Sequence, residues 1–328
     1  MTTTIYRTVA AGAIALVLAA TGTACSSAGA KPTTVSADGT TSITVTLAPI
    51  VDSAPLYIAQ EKGLFKKHGL NVKITPAPTM GASIPALVSG AAQIGVLANV
   101  DAMQASAAGI PLRLFGTTTV TTDKPAQDPG KVYVAKNSPI RELSDLNGKT
   151  IGVSGLGGAG ELSLRVALDK SGLDSSRIKF LEVPLDSMLN SLERGQVDAI
   201  NTISPFTNAA EAAGARYILS PGAVAVPHAL QFVLATTEQF LGGNRTTVEN
   251  FKAAVDEATA YAAKNPDAVR ALLPSFSGTP KDLAAVMQLP EFNSDFTADR
   301  ARIWSELITK YGFVKGKIDV DTLVVPKA

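Results

Sequence analysis

The stretches ALVSGAAQIGVLA (86–98) and SLERGQVDAINTI (191–203) decide the fold. Each reads as the end of a helix, a glycine stop at Gly90 or Gly195, a short turn and an apolar strand. Glycine suits the stop because it enters the left-handed backbone region without a Cβ penalty. The two stretches stand about 105 residues apart. One chain therefore carries two similar α/β lobes, and two lobes define a cleft.

Working outward, the same texture continues. Strand-like runs at 43–50, 71–76, 92–98 and 112–119 alternate with helical runs at 54–69, 83–90 and 101–109. Strands alternating with helices predict parallel sheets. A polar stretch, TTDKPAQDPGK (121–131), interrupts the pattern, and a second α/β run succeeds it. Its predicted strands are KVYVAK, TIGVSG, IKFLEVP, DAINTI and ARYILS. After ALQFVLAT (229–236) the chain is mostly helical. Thr246 and Glu249 have the spacing of a capping box. Val248, Phe251, Val255, Ala258 and Ala262 then fall on one helical face, and Pro266 marks the end.

The amino-terminal residues carry an address. Arg7 precedes an apolar run of 12 residues, Val9 to Ala20, too short to span a bilayer and suited to a signal peptide. Small residues then lead to Cys25, the only cysteine in the 328-residue chain. This resembles a bacterial lipobox, with Gly22 where leucine is usual. The pattern predicts cleavage after residue 24, lipid on Cys25, a flexible tether over 25–42 and residence on the extracytoplasmic side of the cell membrane. A lone cysteine forms no internal disulfide. The chain holds 29 basic and 28 acidic residues, and removing residues 1–24 takes away only Arg7. The mature chain is thus neutral, without the basic block that nucleic acid would require.

Several segments resemble solute-binding proteins of ABC importers, of the nitrate/sulfonate/taurine type. The opening is Ala54 to Val72, APLYIAQEKGLFKKHGLNV. Leu87 to Gly95, Gly109 to Leu112, Ser138 to Gly152, Leu192 to Pro205 and Tyr261 to Asp267 come next, in the family's order and spacing. The resemblance implies a type II periplasmic binding protein fold, α/β and two-lobed. It implies lobe 1 over 43–120 plus 236–328, lobe 2 over 131–228, and hinges near 118–131 and 226–236. It also implies a monomer that binds a small polar solute, sulfonate-, nitrate- or taurine-like or a related organic molecule. The expected partners are that solute and an ABC permease with its ATPase; no cofactor and no catalysis are expected. A ligand-sensing lipoprotein that meets a receptor is the alternative.

Ligands favour the carboxyl ends of parallel strands. Ser154-Gly155-Leu156-Gly157-Gly158-Ala159-Gly160 lies at such an end, before a helix. It satisfies G-x-G-x-x-G, with Glu182 further on, so a dinucleotide reading is formally open. An exported protein has no nicotinamide pool, and the preferred reading is a helix N-terminus whose bare N–H groups meet a ligand oxygen. In the other lobe Ser53 either caps a helix or meets ligand, and Tyr57 either lines the cleft or joins the core. Asp52 is either a solvated turn residue or, if near the cleft, an acid that attracts an amine and repels an acid. Asn99 comes after a strand and faces the cleft, where it either meets ligand or caps the next helix. Ser204 and Phe206 end another strand; Thr79 to Ser83 and Asp186 are weaker candidates. His68 and His228 have no metal-ligand spacing, and Leu156 spoils a G-x-S-x-G match.

Overall fold

The computed structural model describes residues 34–35, 39–77 and 82–326. The expected signal peptide, Cys25 and residues 79–81 lie outside the described residues. Twelve strands are β1 (Thr34–Val35), β2 (Thr41–Leu47), β3 (Leu70–Pro76), β4 (Ile94–Ala98), β5 (Leu112–Val120), β6 (Gly130–Val134), β7 (Thr150–Val153), β8 (Lys179–Glu182), β9 (Ala199–Ile203), β10 (Arg216–Leu219), β11 (Leu230–Thr237) and β12 (Glu291–Phe292).

They form two sheets. In the first the order is β3-β2-β4-β11-β5-β12, with β1 on the amino end of β2. In the second it is β8-β7-β9-β6-β10. Three parallel strands begin each sheet, and the fourth runs antiparallel to both neighbours. Strand for strand the sheets share one plan, and their antiparallel members are β11 and β6. Central strands lie under helices on both faces, so they read as apolar runs: all five residues of β4 are buried. Gly90 and Gly195 take φ of +71° and +68°, as the glycine stops predict.

The chain passes between sheets at 121–129 and 220–229. These segments bond to each other: the Thr121 N–H donates to the Ala229 carbonyl at 2.9 Å, and the His228 N–H to the Thr121 carbonyl at 2.8 Å. They leave from the carboxyl ends of β5 and β10. The strand carboxyl ends of one sheet therefore face those of the other, which creates the cleft the sequence predicts.

Beyond β11, the Arg245–Lys264 helix buries Val248, Phe251, Val255, Ala258 and Ala262 against the first sheet. Its start differs from expectation. The helix begins at Arg245 with no side-chain cap, and Glu249 pairs with Arg245 at 3.0 Å instead of reaching back to close a capping box. The Pro266–Ser277 helix starts where the proline sets it. The Ala298–Lys310 helix sits between lobes: Ala301, Trp304 and Ile308 join a cluster containing Val100 and Met103 of one and Leu162 and Leu164 of the other.

Candidate functional site

On lobe 1 the site is built from the segments that leave β2, β4 and β5. A 3-10 turn, Val51–Ser53, leaves β2 and packs against β5. It thereby crosses over the ends of β4 and β11. Asp52 in this turn is 6% exposed, not solvated as its turn position suggests. Burial pushes its carboxyl from the ordinary 3.8 up to about 6, against smaller lowering effects of the Thr119 hydroxyl and its own N–H. That hydroxyl lies close enough to act on the charge, yet neither Thr119 Oγ1 nor Asp52 Oδ1 makes a hydrogen bond of ordinary geometry. Neighbouring Thr118 is fully buried with its hydroxyl also unpartnered.

Asn99 completes this end. It is 1% exposed, and neither amide atom has a hydrogen-bond partner among the described residues. It does not cap the helix: the helix runs Asn99–Ala107 and its N-cap is Ala98, without a side-chain bond. Buried polar groups are nearly always satisfied, so a local group of orphans marks this end as unusual. Asp101, in the same first turn, is partly buried, and burial raises its carboxyl. No cation contributes to the shift of Asp52 or Asp101.

Of the other lobe-1 candidates, Ser53 and Ser83 have polar neighbours and Tyr57 is committed only through its ring. The Ser53 hydroxyl donates to the Ala48 carbonyl at 2.8 Å and caps nothing. Tyr57 stacks on Phe276, ring centroids 3.9 Å apart, and keeps a buried hydroxyl without a partner. Ser83 is fully buried, 3.4 Å from the Thr46 hydroxyl.

On lobe 2 the glycine loop leads from β7 into the Ala159–Lys170 helix. Gly158 is its N-cap and offers no side chain. The first helical bond is from the Leu162 N–H to the Gly158 carbonyl at 3.1 Å. The N–H groups of Ala159, Gly160 and Glu161 have no acceptor among the described residues, as an uncapped helix start leaves them. Gly157 takes φ of +74°, so the turn itself needs glycine there. Gly158, at φ −88°, has no such need. Ser154 is exposed and Gly155 partly so.

Lobe 2 side chains are mostly committed. The Gly157 N–H donates to Glu161 Oε2 at 2.9 Å, and Arg165 holds Glu161 Oε1 at 2.7 Å. Asn201 Nδ2 donates to the Gly160 carbonyl at 2.9 Å. The Ser204 and Thr207 hydroxyls pair at 3.1 Å, Phe206 opens the Phe206–Ala212 helix, and exposed Asp186 accepts from Ser187. Thr202 is fully buried with an unpartnered hydroxyl, and the amide oxygens of Asn147 and Asn208 are also buried without a partner. One side-chain bond crosses between lobes here: Gln104 Nε2 donates to the Gly157 carbonyl at 2.9 Å. It places the Asp101–Gln104 face of the lobe-1 helix against the glycine loop.

Two facing α/β lobes with this strand order define the type II periplasmic binding protein fold. The periplasmic aliphatic sulphonate binding protein SsuA of Escherichia coli superposes with a TM-score of 0.74 at 19% identity, over 88% of this chain and 92% of its own. The periplasmic nitrate-binding protein NrtA of Synechocystis gives 0.69 at 13%, over 87% and 86%. At such identities the likeness concerns fold. The sequence matches the NMT1/THI5 like family over residues 50–269, and the chain belongs to that family. A putative thiamine biosynthesis protein of Haemophilus influenzae is 27% identical over 226 residues, 66% of this chain and 67% of the relative. The 4-amino-5-hydroxymethyl-2-methylpyrimidine phosphate synthase of Schizosaccharomyces pombe is 29% identical over 123 residues, 37% of this chain. The match spans only a third of that synthase, 33% of its length.

Proposed function

We propose that this chain is an extracytoplasmic solute-binding lipoprotein that captures a small polar organic molecule between its lobes and delivers it to an ABC importer. One observation carries the reading. Buried, unpartnered side chains of lobe 1 gather at the strand ends that face an uncapped helix N-terminus of lobe 2. A solute between them satisfies both, and satisfying them draws the lobes together. The two bonded crossings at Thr121 and Ala229 serve as the hinge. The protein catalyses no reaction. Asp52, its most perturbed carboxyl, is set against the Thr119 hydroxyl, and no histidine, lysine or cysteine contributes to its shift.

Cys25 carries the anchor, and no described helix is long and apolar enough to cross a membrane. Two measurements test the whole. Small-angle scattering of the mature chain should show compaction when a transported solute is added; binding without a change in interlobe geometry sinks the capture mechanism. Cys25→Ser should abolish lipid labelling and release the protein from membranes; unchanged partition of that variant sinks the anchor.

A further inference from the structure

We infer that the lobe-1 half of the cleft selects a neutral or cationic solute with an N–H-rich end, and excludes oxyanions such as nitrate and sulfonates. This rests on the solute-binding role proposed above and specifies its ligand.

Two carboxylates stand at the strand ends of lobe 1. Asp52 is buried beneath the turn after β2, and Asp101 is partly buried one helical turn from the interlobe contact made by Gln104. Neither has an ion-pair partner among the described residues. On lobe 2, Glu161 beside the glycine loop is held by Arg165 at 2.7 Å, so that cation is committed within lobe 2. A carboxylate taken out of water without a cation is costly, and the cost falls when a ligand brings the missing positive or donor end. An oxyanion would add a negative charge at the end of lobe 1 that already holds the buried, unpaired Asp52.

Asn99 supplies the independent sign that something binds there. Its amide is 99% covered, with both the oxygen and the nitrogen unpartnered. An amide placed so is bifunctional, accepting from a ligand N–H and donating to a ligand acceptor. The Thr118 hydroxyl, also unpartnered, rotates to suit either. These groups give the cleft a polarity. The N–H-rich end turns to Asp52 and Asp101, and an acceptor atom turns to the bare N–H groups of Ala159, Gly160 and Glu161. Because the Glu161 carboxylate already occupies the Gly157 N–H, that end suits a neutral acceptor such as a hydroxyl or ring nitrogen better than a full anion.

The experiment is calorimetric titration of the mature chain with two sets of probes: agmatine, putrescine and cytosine, and nitrate and ethanesulfonate. Wild type is compared with Asp52→Asn and Asp101→Asn, and scattering monitors closure. The expected result is one-to-one binding with closure by a probe of the first set, weakened at least tenfold by Asp52→Asn at undiminished melting temperature. Asp101→Asn should give a smaller loss. One-to-one binding of nitrate or ethanesulfonate with closure, kept or improved in Asp52→Asn, overturns the charge selection and leaves the solute-binding role standing. Failure of every probe to close the lobes overturns both.

Discussion

The two lobes share a strand plan yet present opposite kinds of chemistry to the cleft. Lobe 1 offers side chains: Asp52, Asn99 and Thr118, buried and with unpartnered polar atoms. Lobe 2 offers main chain, the N–H groups after Gly158, while Glu161, Asn201 and Ser204 are tied to neighbours. A side chain distinguishes solutes by charge and shape. A row of backbone donors accepts any suitably placed oxygen or nitrogen. Under the proposed function, lobe 1 is the half that chooses and lobe 2 the half that clamps.

The comparison breaks or sharpens most at Asp52. Its folded pKa of about 6 lies above the ordinary 3.8. The folded state therefore binds the proton more tightly. The group favours folding below about pH 4, and that contribution is lost as pH rises through 6. At pH 7 the buried charge costs the empty protein roughly 3 kcal/mol. Asp52→Asn should raise the unfolding free energy by up to that amount at pH 7 and by little at pH 4. Asp101, the other raised carboxyl at this end, remains in both proteins and cancels. Denaturant melts at the two pH values decide it; equal stability of the pair at pH 7 would place Asp52 in a compensated site.

Asn99→Ala comes next. Removing two orphan groups should leave the empty protein as stable or more so, while solute affinity falls by about 2 kcal/mol, some thirtyfold. If instead the variant melts lower, the amide is structural and lobe 1 loses its claim to choose.

Gly158→Val probes the clamp. A Cβ at Gly158 meets nothing nearer than the Gly155 carbonyl at 3.5 Å, and its φ suits any residue. Melting should hold while affinity drops about tenfold, or about 1.4 kcal/mol. Gly157→Ala is the contrast, since its positive φ should lower melting. Equal binding by wild type and Gly158→Val would reduce the loop to a turn. The smallest effect belongs to Gln104→Ala, which removes the 2.9 Å bond between lobes. A neutral hydrogen bond contributes about 1 kcal/mol or less. Scattering should show a more open empty protein and a two- to fivefold weaker affinity; no change in either would make the bond incidental.

The α/β lobes and helix faces were legible in the sequence because they rest on local periodicity. The antiparallel members β11 and β6 were not, since alternating strands and helices predicted parallel sheets. Gly90 and Gly195 stop their helices as local backbone rules require. The glycine loop was legible too, since a strand, a glycine run and a helix succeed one another without a break. Lobe 1 was read less well. Asp52 looks like a surface turn residue, and only the fold shows its turn lying over the sheet end against Thr119, distant in sequence. Thr118 and Thr119 look like ordinary strand formers. Asn99 was legible as a cleft residue or a helix cap by its place after a strand, and the helix shows no side-chain cap. Asp101 looks like a favourable first-turn acid. The Thr246–Glu249 pattern failed because Arg245, one residue earlier, offers Glu249 an ion pair and starts the helix itself. Local rules describe how backbone is satisfied; they say nothing of which side chains a distant strand will bury.

The pairing of Val120 with Leu230 has a further consequence. To the first sheet, β5 and β11 are the two arms of a hairpin whose loop is the entire second lobe. Joining ends that far apart in an unstructured chain costs about 4 kcal/mol of loop-closure entropy. Once the second lobe has folded, its own geometry holds residues 121 and 229 together, and the same pairing forms as cheaply as a short turn. The inner lobe is therefore the staple of the outer one. In pulsed hydrogen exchange, amides of β6 to β9 should gain protection before those of β5 and β11.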